Sequence, residues 1–184
     1  GKLLVTQGAH VEAAHHFESA LALGNRHAAG GEQQLRLQLA WCLGFNPNRI
    51  DEALLTYCNI LDDDLFCAAA FLDRGKLFIR MHDWEKALGD FSHAAALNKA
   101  DANVYNDIGV CHFELGQQDQ ALGNFTQALQ LNDRHAPSYS NRANCLKGLQ
   151  KFKEADSDYT KAIEIDNRNP KAFLSRAQLR ETMR

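Results

Sequence analysis

The chain has 184 residues, 45% hydrophobic and 23% charged, with 3 prolines and a net charge of −3. That composition describes a packed, helix-rich protein rather than a disordered one, and no run approaches the roughly 18 apolar residues of a membrane span. The charge is uneven, −4 over residues 1–67 and +3 over residues 170–184, yet no face-long basic excess emerges, which argues against a nucleic-acid partner. No secretory leader is visible at Gly1–Lys2–Leu3–Leu4–Val5, which turns polar at Thr6–Gln7, and a first residue of Gly suggests an excised fragment. The 5 cysteines form no CxxC or CxxH pair, so they read as free thiols in a reducing, cytoplasmic setting.

In chain order, Ala13, Phe17 and Ala20 fall on one helical face. Residues 2–23 are therefore expected to hold a helix pair whose first member is cut short, in a truncated unit of about 1–27. From Ala13 to the equivalent Ala53 is 40 residues, whereas later copies repeat every 34. The surplus predicts a loop insertion at 28–33, where Gly30–Gly31 sit. Residues 34–67 form a degenerate pair: Ala53, Tyr57 and Ile60 keep the pattern, but Trp41 stands near a small-residue position and Asn46–Pro47–Asn48 occupy the turn.

Three full copies follow at 68–101, 102–135 and 136–169. Each carries a small–aromatic–small row on its second helix: Ala87, Phe91, Ala94; Ala121, Phe125, Ala128; Ala155, Tyr159, Ala162. Each also carries an aromatic and a small residue on its first helix: Phe71 and Gly75, Tyr105 and Gly109, Tyr139 and Ala143. The small residues let two helices approach and the aromatic fills the space beside them. Gly116 ends the first helix of the clearest copy. Residues 170–184 restart the pattern with Phe173 and Ala177, giving a last helix over 170–183 that is a cap or a partial repeat. The total expected is about eleven helices, a constant-period stack in which each unit buries its apolar face on the next.

This pattern resembles the tetratricopeptide repeat over nearly the whole chain. The resemblance implies an all-α fold, a right-handed α-solenoid of antiparallel helix pairs forming one array over 1–184. The family's usual proline after the second helix is replaced by Asn25, Lys99, Asp133 and Asn167, which still stop a helix. The resemblance also implies a protein–protein interaction scaffold or adaptor, not an enzyme, with no cofactor and with first helices lining a concave groove.

In that groove Asp73, Asp107, Asn141 and Ser175 form one polar column 34 residues apart. Together with Lys76, Asn106, Asn144 and Lys171 they make the expected peptide-binding site, suited to a basic or neutral segment of a partner. A second expectation is a chaperone co-factor: Asn141 and Lys171 match a carboxylate clamp that grips a ligand's C-terminus. Asn106, Val110 and Ser175 depart from it, and Arg176 points about 100° away. A third is structural self-association through the ends of the array. The asparagine ladder of sugar-transferring enzymes is matched at Asn141 alone.

Nothing else carries chemistry. His10, His15 and His16 miss the spacing of a helical metal pair and read as a solvated helix start. His112 reads as a half-buried core residue, and Asp62–Asp63–Asp64 as an acidic helix end opposing the helix dipole. Arg176, Arg180 and Arg184 form a basic stripe on the last helix.

Overall fold

The 34-residue period is built into the backbone as three recurring helix ends. The computed structural model describes residues 2–23 and 29–183. Among them are ten α-helices and no strand: α1 (Lys2–Ala22), α2 (Ala29–Leu43), α3 (Ile50–Asp63), α4 (Ala68–Arg80), α5 (Trp84–Leu97), α6 (Ala102–Glu114), α7 (Gln118–Leu131), α8 (Ala136–Gly148), α9 (Phe152–Ile165) and α10 (Pro170–Thr182).

Asp64, Asn98, Asn132 and Asp166 cap α3, α5, α7 and α9 in extended backbone. Each side-chain oxygen accepts the N–H two residues on, from Phe66 (2.9 Å), Ala100 (3.3 Å), Arg134 (3.0 Å) and Arg168 (3.1 Å). Such Asx turns satisfy the chain as it leaves the helix. They replace the family's proline one residue earlier than the sequence suggested at Lys99, Asp133 and Asn167; Asn25 lies outside the described residues. The next helix then starts on a side-chain cap, Asp101 for α6 and Asn169 for α10.

Between α4 and α5, α6 and α7, and α8 and α9 the turn is three residues long, and within the second unit it sets α6 antiparallel to α7 and α8 antiparallel to α9. Its left-handed position is taken by His82 (φ 59°), Gly116 (φ 75°) and Gln150 (φ 59°). The following N–H groups of Asp83, Gln117 and Lys151 reach back to the carbonyls of Phe78, His112 and Leu146 at 3.0, 2.8 and 2.9 Å, closing Schellman-type ends.

The chain divides into two compact units, residues 1–77 and 78–184. In the first, α2 packs on both α1 and α3. Ala53, Tyr57 and Ile60 of α3 are no more than 1% exposed. Two expectations fail here. Residues 2–22 are one continuous helix, not a short pair, because Gly8 is the only breaker inside and one helical glycine costs about 1 kcal/mol, which flanking residues absorb. The described residues thus hold ten helices, close to the eleven or so expected. The expected loop 28–33 is helical from Ala29 onward, residue 28 lying outside the described residues. Gly30–Gly31 enter the first turn, where N–H groups are unpaired in any case, and Glu32 there complements the dipole.

His10 is likewise no solvated helix start. Its ring stacks on Phe45 at 4.0 Å, and Phe45 meets Trp41 edge-on at 5.2 Å. That cluster gives Trp41 its place, and the small position is filled instead by the fully buried Ala40. The acidic run is partly paired: Asp63 accepts from Arg36 at 2.9 Å, and Asp64 from Gln33 at 3.1 Å.

In the second unit α5 to α10 pack in sequence order, each on the next. The rows Ala87–Phe91–Ala94, Ala121–Phe125–Ala128 and Ala155–Tyr159–Ala162 are no more than 1% exposed. Cys111 and Cys145 are fully buried free thiols, and burial pushes the Cys111 thiol up to about 12. His112 is half-buried as expected, its Nδ1 at 2.6 Å from Gln117 Oε1.

Candidate functional site

The first helices α6, α8 and α10 of the second unit carry the predicted polar column, and α6 and α8 join it through a common centre. Asn106 is buried, and its amide is oriented from three sides. Its Nδ2 donates to Asp107 Oδ1 at 3.2 Å. Its Oδ1 accepts from Asn141 Nδ2 at 3.0 Å and from Ser138 Oγ at 3.2 Å. A carboxylate can only accept, so Asp107 does not permit the flipped Asn106 amide. Asn106, Asp107 and Asn141 are thus brought together, with Asn106 inside and the other two half-buried at its rim.

The remaining predicted residues of this unit form a second group. Tyr159, buried in the α8–α9 core, donates its hydroxyl to Asn144 Oδ1 at 2.6 Å. It also hydrogen-bonds Ser175 on α10; burial raises its phenol pKa and that bond partly offsets the rise. Asn144 and Ser175 are therefore held from beneath by one core side chain. Lys171 is exposed in the first turn of α10, its backbone N–H capped by Asn169 at 3.1 Å. No hydrogen bond ties its side chain to Asn141 among the described residues.

Asp73 and Lys76 belong to the first unit, where they pair with each other at 3.5 Å on α4. Burial raises the Asp73 carboxyl, and Lys76 opposes the shift. Lys76 also lies over the Trp41 ring at 5.8 Å.

Sequence reasoning missed the residues behind this surface. His135 caps α8, with Nδ1 at 2.7 Å from Ser138 Oγ and Nε2 at 3.1 Å from Asn103 Oδ1. Ser138 is fully buried, in a column otherwise filled by Ala70, Val104 and Ala172. One hydroxyl in an apolar column was the signal available. Arg142 was also missed: its Nε and Nη2 grip both oxygens of Asp158 at 2.7 and 2.9 Å. A cleft of about 440 Å³ lies there, lined by Leu122, Thr126, Leu146, Lys151, Glu154 and the ion pair. Both charges are committed to each other, so this cleft reads as a helix tie.

No group of three or more metal-ligating side chains comes together among the described residues. No described helix is long and apolar enough to cross a membrane.

Comparison with known proteins follows the same lines. Models of the tetratricopeptide repeat match residues 102–135 and 136–169. No curated protein matches the chain. Among solved structures, MamA is similar with a TM-score of 0.73 and 18% identity, over 90% of this chain and 94% of that one. YrrB, described as a tetratricopeptide-repeat protein with an unusual peptide-binding site, gives 0.69 and 20% over 92% and 84%. The first such domain of Spaghetti (RPAP3), bound to the HSP90 peptide SRMEEVD, gives 0.61 and 19% over 63% and 92%.

Proposed function

We propose that this chain, two of whose repeats match models of the tetratricopeptide repeat, is a non-catalytic adaptor that binds an extended segment of a partner protein along α6, α8 and α10. The observation that carries this is the Asn106-centred network. Asn141 gives one N–H to the buried Asn106, and its own carbonyl oxygen has no partner among the described residues. An amide fixed from behind and open in front is preorganised to accept an N–H from a peptide backbone. Asn144 is held through its oxygen by Tyr159, which leaves its N–H2 to donate to a peptide carbonyl. Asp107, beside them, favours a basic or neutral segment over an acidic one.

The chaperone-tail alternative is disfavoured on the same grounds. A clamp would need Asn106, Val110 and Ser175 to be cationic or free amides. Instead Asn106 is buried in the network, Val110 is apolar and Ser175 bonds to Tyr159. A carboxylate arriving here would also meet Asp107.

The test is a displayed library of random dodecapeptides panned on the chain, with the peptide SRMEEVD as a separate probe. The proposal expects basic or neutral sequences to be enriched, each losing at least about tenfold in affinity, ~1.4 kcal/mol, on Asn141→Ala or Asp107→Arg. Binders indifferent to both substitutions, or saturable binding of SRMEEVD lost on Asn141→Ala, would overturn it.

A further inference from the structure

The bond directions around His135 cannot all be satisfied by a neutral imidazole. Asn103 gives both its backbone N–H (2.8 Å) and its Nδ2 (3.0 Å) to Asp101 Oδ1. Its oxygen is therefore what faces His135 Nε2 at 3.1 Å, and Nε2 must carry the proton. In the neutral ring Nδ1 is then a bare acceptor, and the Ser138 hydroxyl must donate to it across 2.7 Å.

Ser138 has only one proton. With that proton on the His135 side, its oxygen faces Asn106 Oδ1 at 3.2 Å with none between them. Ser138 is fully buried, so bulk water does not fill the gap. When Nδ1 takes up a proton from solvent, it donates to Ser138 Oγ, and the hydroxyl turns to donate to Asn106 Oδ1. Every contact from Asp101 to Asn141 then has one donor and one acceptor.

We propose that His135 is a proton switch for the peptide-binding face: protonation reverses the Ser138 hydroxyl and thereby fixes the Asn106–Asn141 amide pair. The inference rests on the adaptor function above for its purpose, but not for its chemistry.

The surrounding charges are few. Asp101 at the start of α6 favours the imidazolium, while burial opposes it more strongly and brings the pKa below the ordinary 6.5. Asp107 stands at the far end of the relay. Asp133 and Arg134 lie in the loop leading to His135, α7 carries only Asp119 near its far end, and α9 carries the exposed pair Lys161–Glu164. Protonation consequently falls below pH 6.5.

The experiment is an NMR titration of the full chain from pH 8 to 5, following the His135 ring nitrogens and the side-chain NH2 signals of Asn106 and Asn141. Ser138→Ala is the decisive variant, and the fold accepts it because Ala70 and Ala172 hold the same repeat position. The expected result is that both amide signals follow the titration of His135 in the wild type. In Ser138→Ala, His135 titrates but the amides no longer follow. Static amides in the wild type, or amides that still follow in Ser138→Ala, overturn the switch. These readouts need no ligand, so they fail or hold independently of the peptide panning. A panned dodecapeptide should bind about fivefold tighter at pH 5.5 than at 7.5, one hydrogen bond's worth. That gain should vanish in Ser138→Ala. Affinity that ignores pH while the amides follow His135 overturns the switch's role in binding and leaves the adaptor function standing.

Discussion

Gly109→Ala sets two known effects against each other. A Cβ at Gly109 on α6 would lie 2.6 Å from Phe125 Cε1, 2.7 Å from Cδ1 and 3.1 Å from Cζ. Carbon contacts prefer about 3.5–4.0 Å, so the ring would have to retreat by about 1 Å. Phe125 is 1% exposed and packed against Ala121 and Cys145, which leaves it little room. Overpacking of this kind costs about 1–3 kcal/mol. Alanine for glycine inside a helix returns at most about 1 kcal/mol. The expected outcome is a net loss of about 1–2 kcal/mol. A chain of this size should then melt about 2–8 °C lower. Gly123→Ala on the partner helix α7 is the control, since nothing lies within 4 Å of its Cβ position; it should raise stability by up to about 1 kcal/mol. Phe125→Leu added to Gly109→Ala should recover part of the loss as a coupling energy. The next repeat already pairs Ala143 with Tyr159 in its core, so the variant should fold. Paired calorimetric melts decide: if Gly109→Ala stabilises as Gly123→Ala does, the close approach of α6 and α7 is not what selects glycine here.

Asp158→Ala should cost about 2–3 kcal/mol in denaturant melts, because it leaves the partly buried Arg142 guanidinium unpaired. The double change Arg142→Ile/Asp158→Asn, which copies Ile108 and Asn124 of the preceding repeat, should recover more than half of that. Gly116→Ala, at φ 75°, should destabilise by about 1 kcal/mol, whereas Gln150→Gly at the equivalent φ 59° should leave stability unchanged or raise it. Burial lowers the His135 pKa below 6.5, so the unfolded chain binds that proton more tightly. Stability should therefore fall as pH drops through about 6.5 toward the lower folded value and be complete above it. Denaturant midpoints at pH 7.5, 6.5 and 5.5 should show this slope, and His135→Gln should flatten it.

What was legible in the sequence follows from what repeats. The small–aromatic–small rows could be read because close helix approach admits few residue types, and Ala87, Phe125 and Tyr159 take the buried places the pattern gave them. The polar column could be located for the same reason, since Asp107 and Asn141 keep the register. Their pairing through Asn106 could not, because register gives a side chain's position and not its partner. Ser138 was hidden by its apolar column and His135 by looking like an ordinary loop residue. Gly30–Gly31 misled because paired glycines mark loops in general, whereas a helix's first turn tolerates them. The Asx caps at Asn98, Asn132 and Asp166 were read one residue late, since neighbouring polar residues do not say which of them turns its side chain back.

The central claim, that the α6–α8–α10 face is the binding surface, is met most directly by an amide chemical-shift titration of the chain with the strongest panned dodecapeptide. The largest shifts are expected at Asp107, Asn141, Asn144 and Ser175, and their loss in Asn141→Ala. Shifts confined to the cleft around Leu122, Glu154 and Asp158, with the first-helix face unmoved, would contradict it.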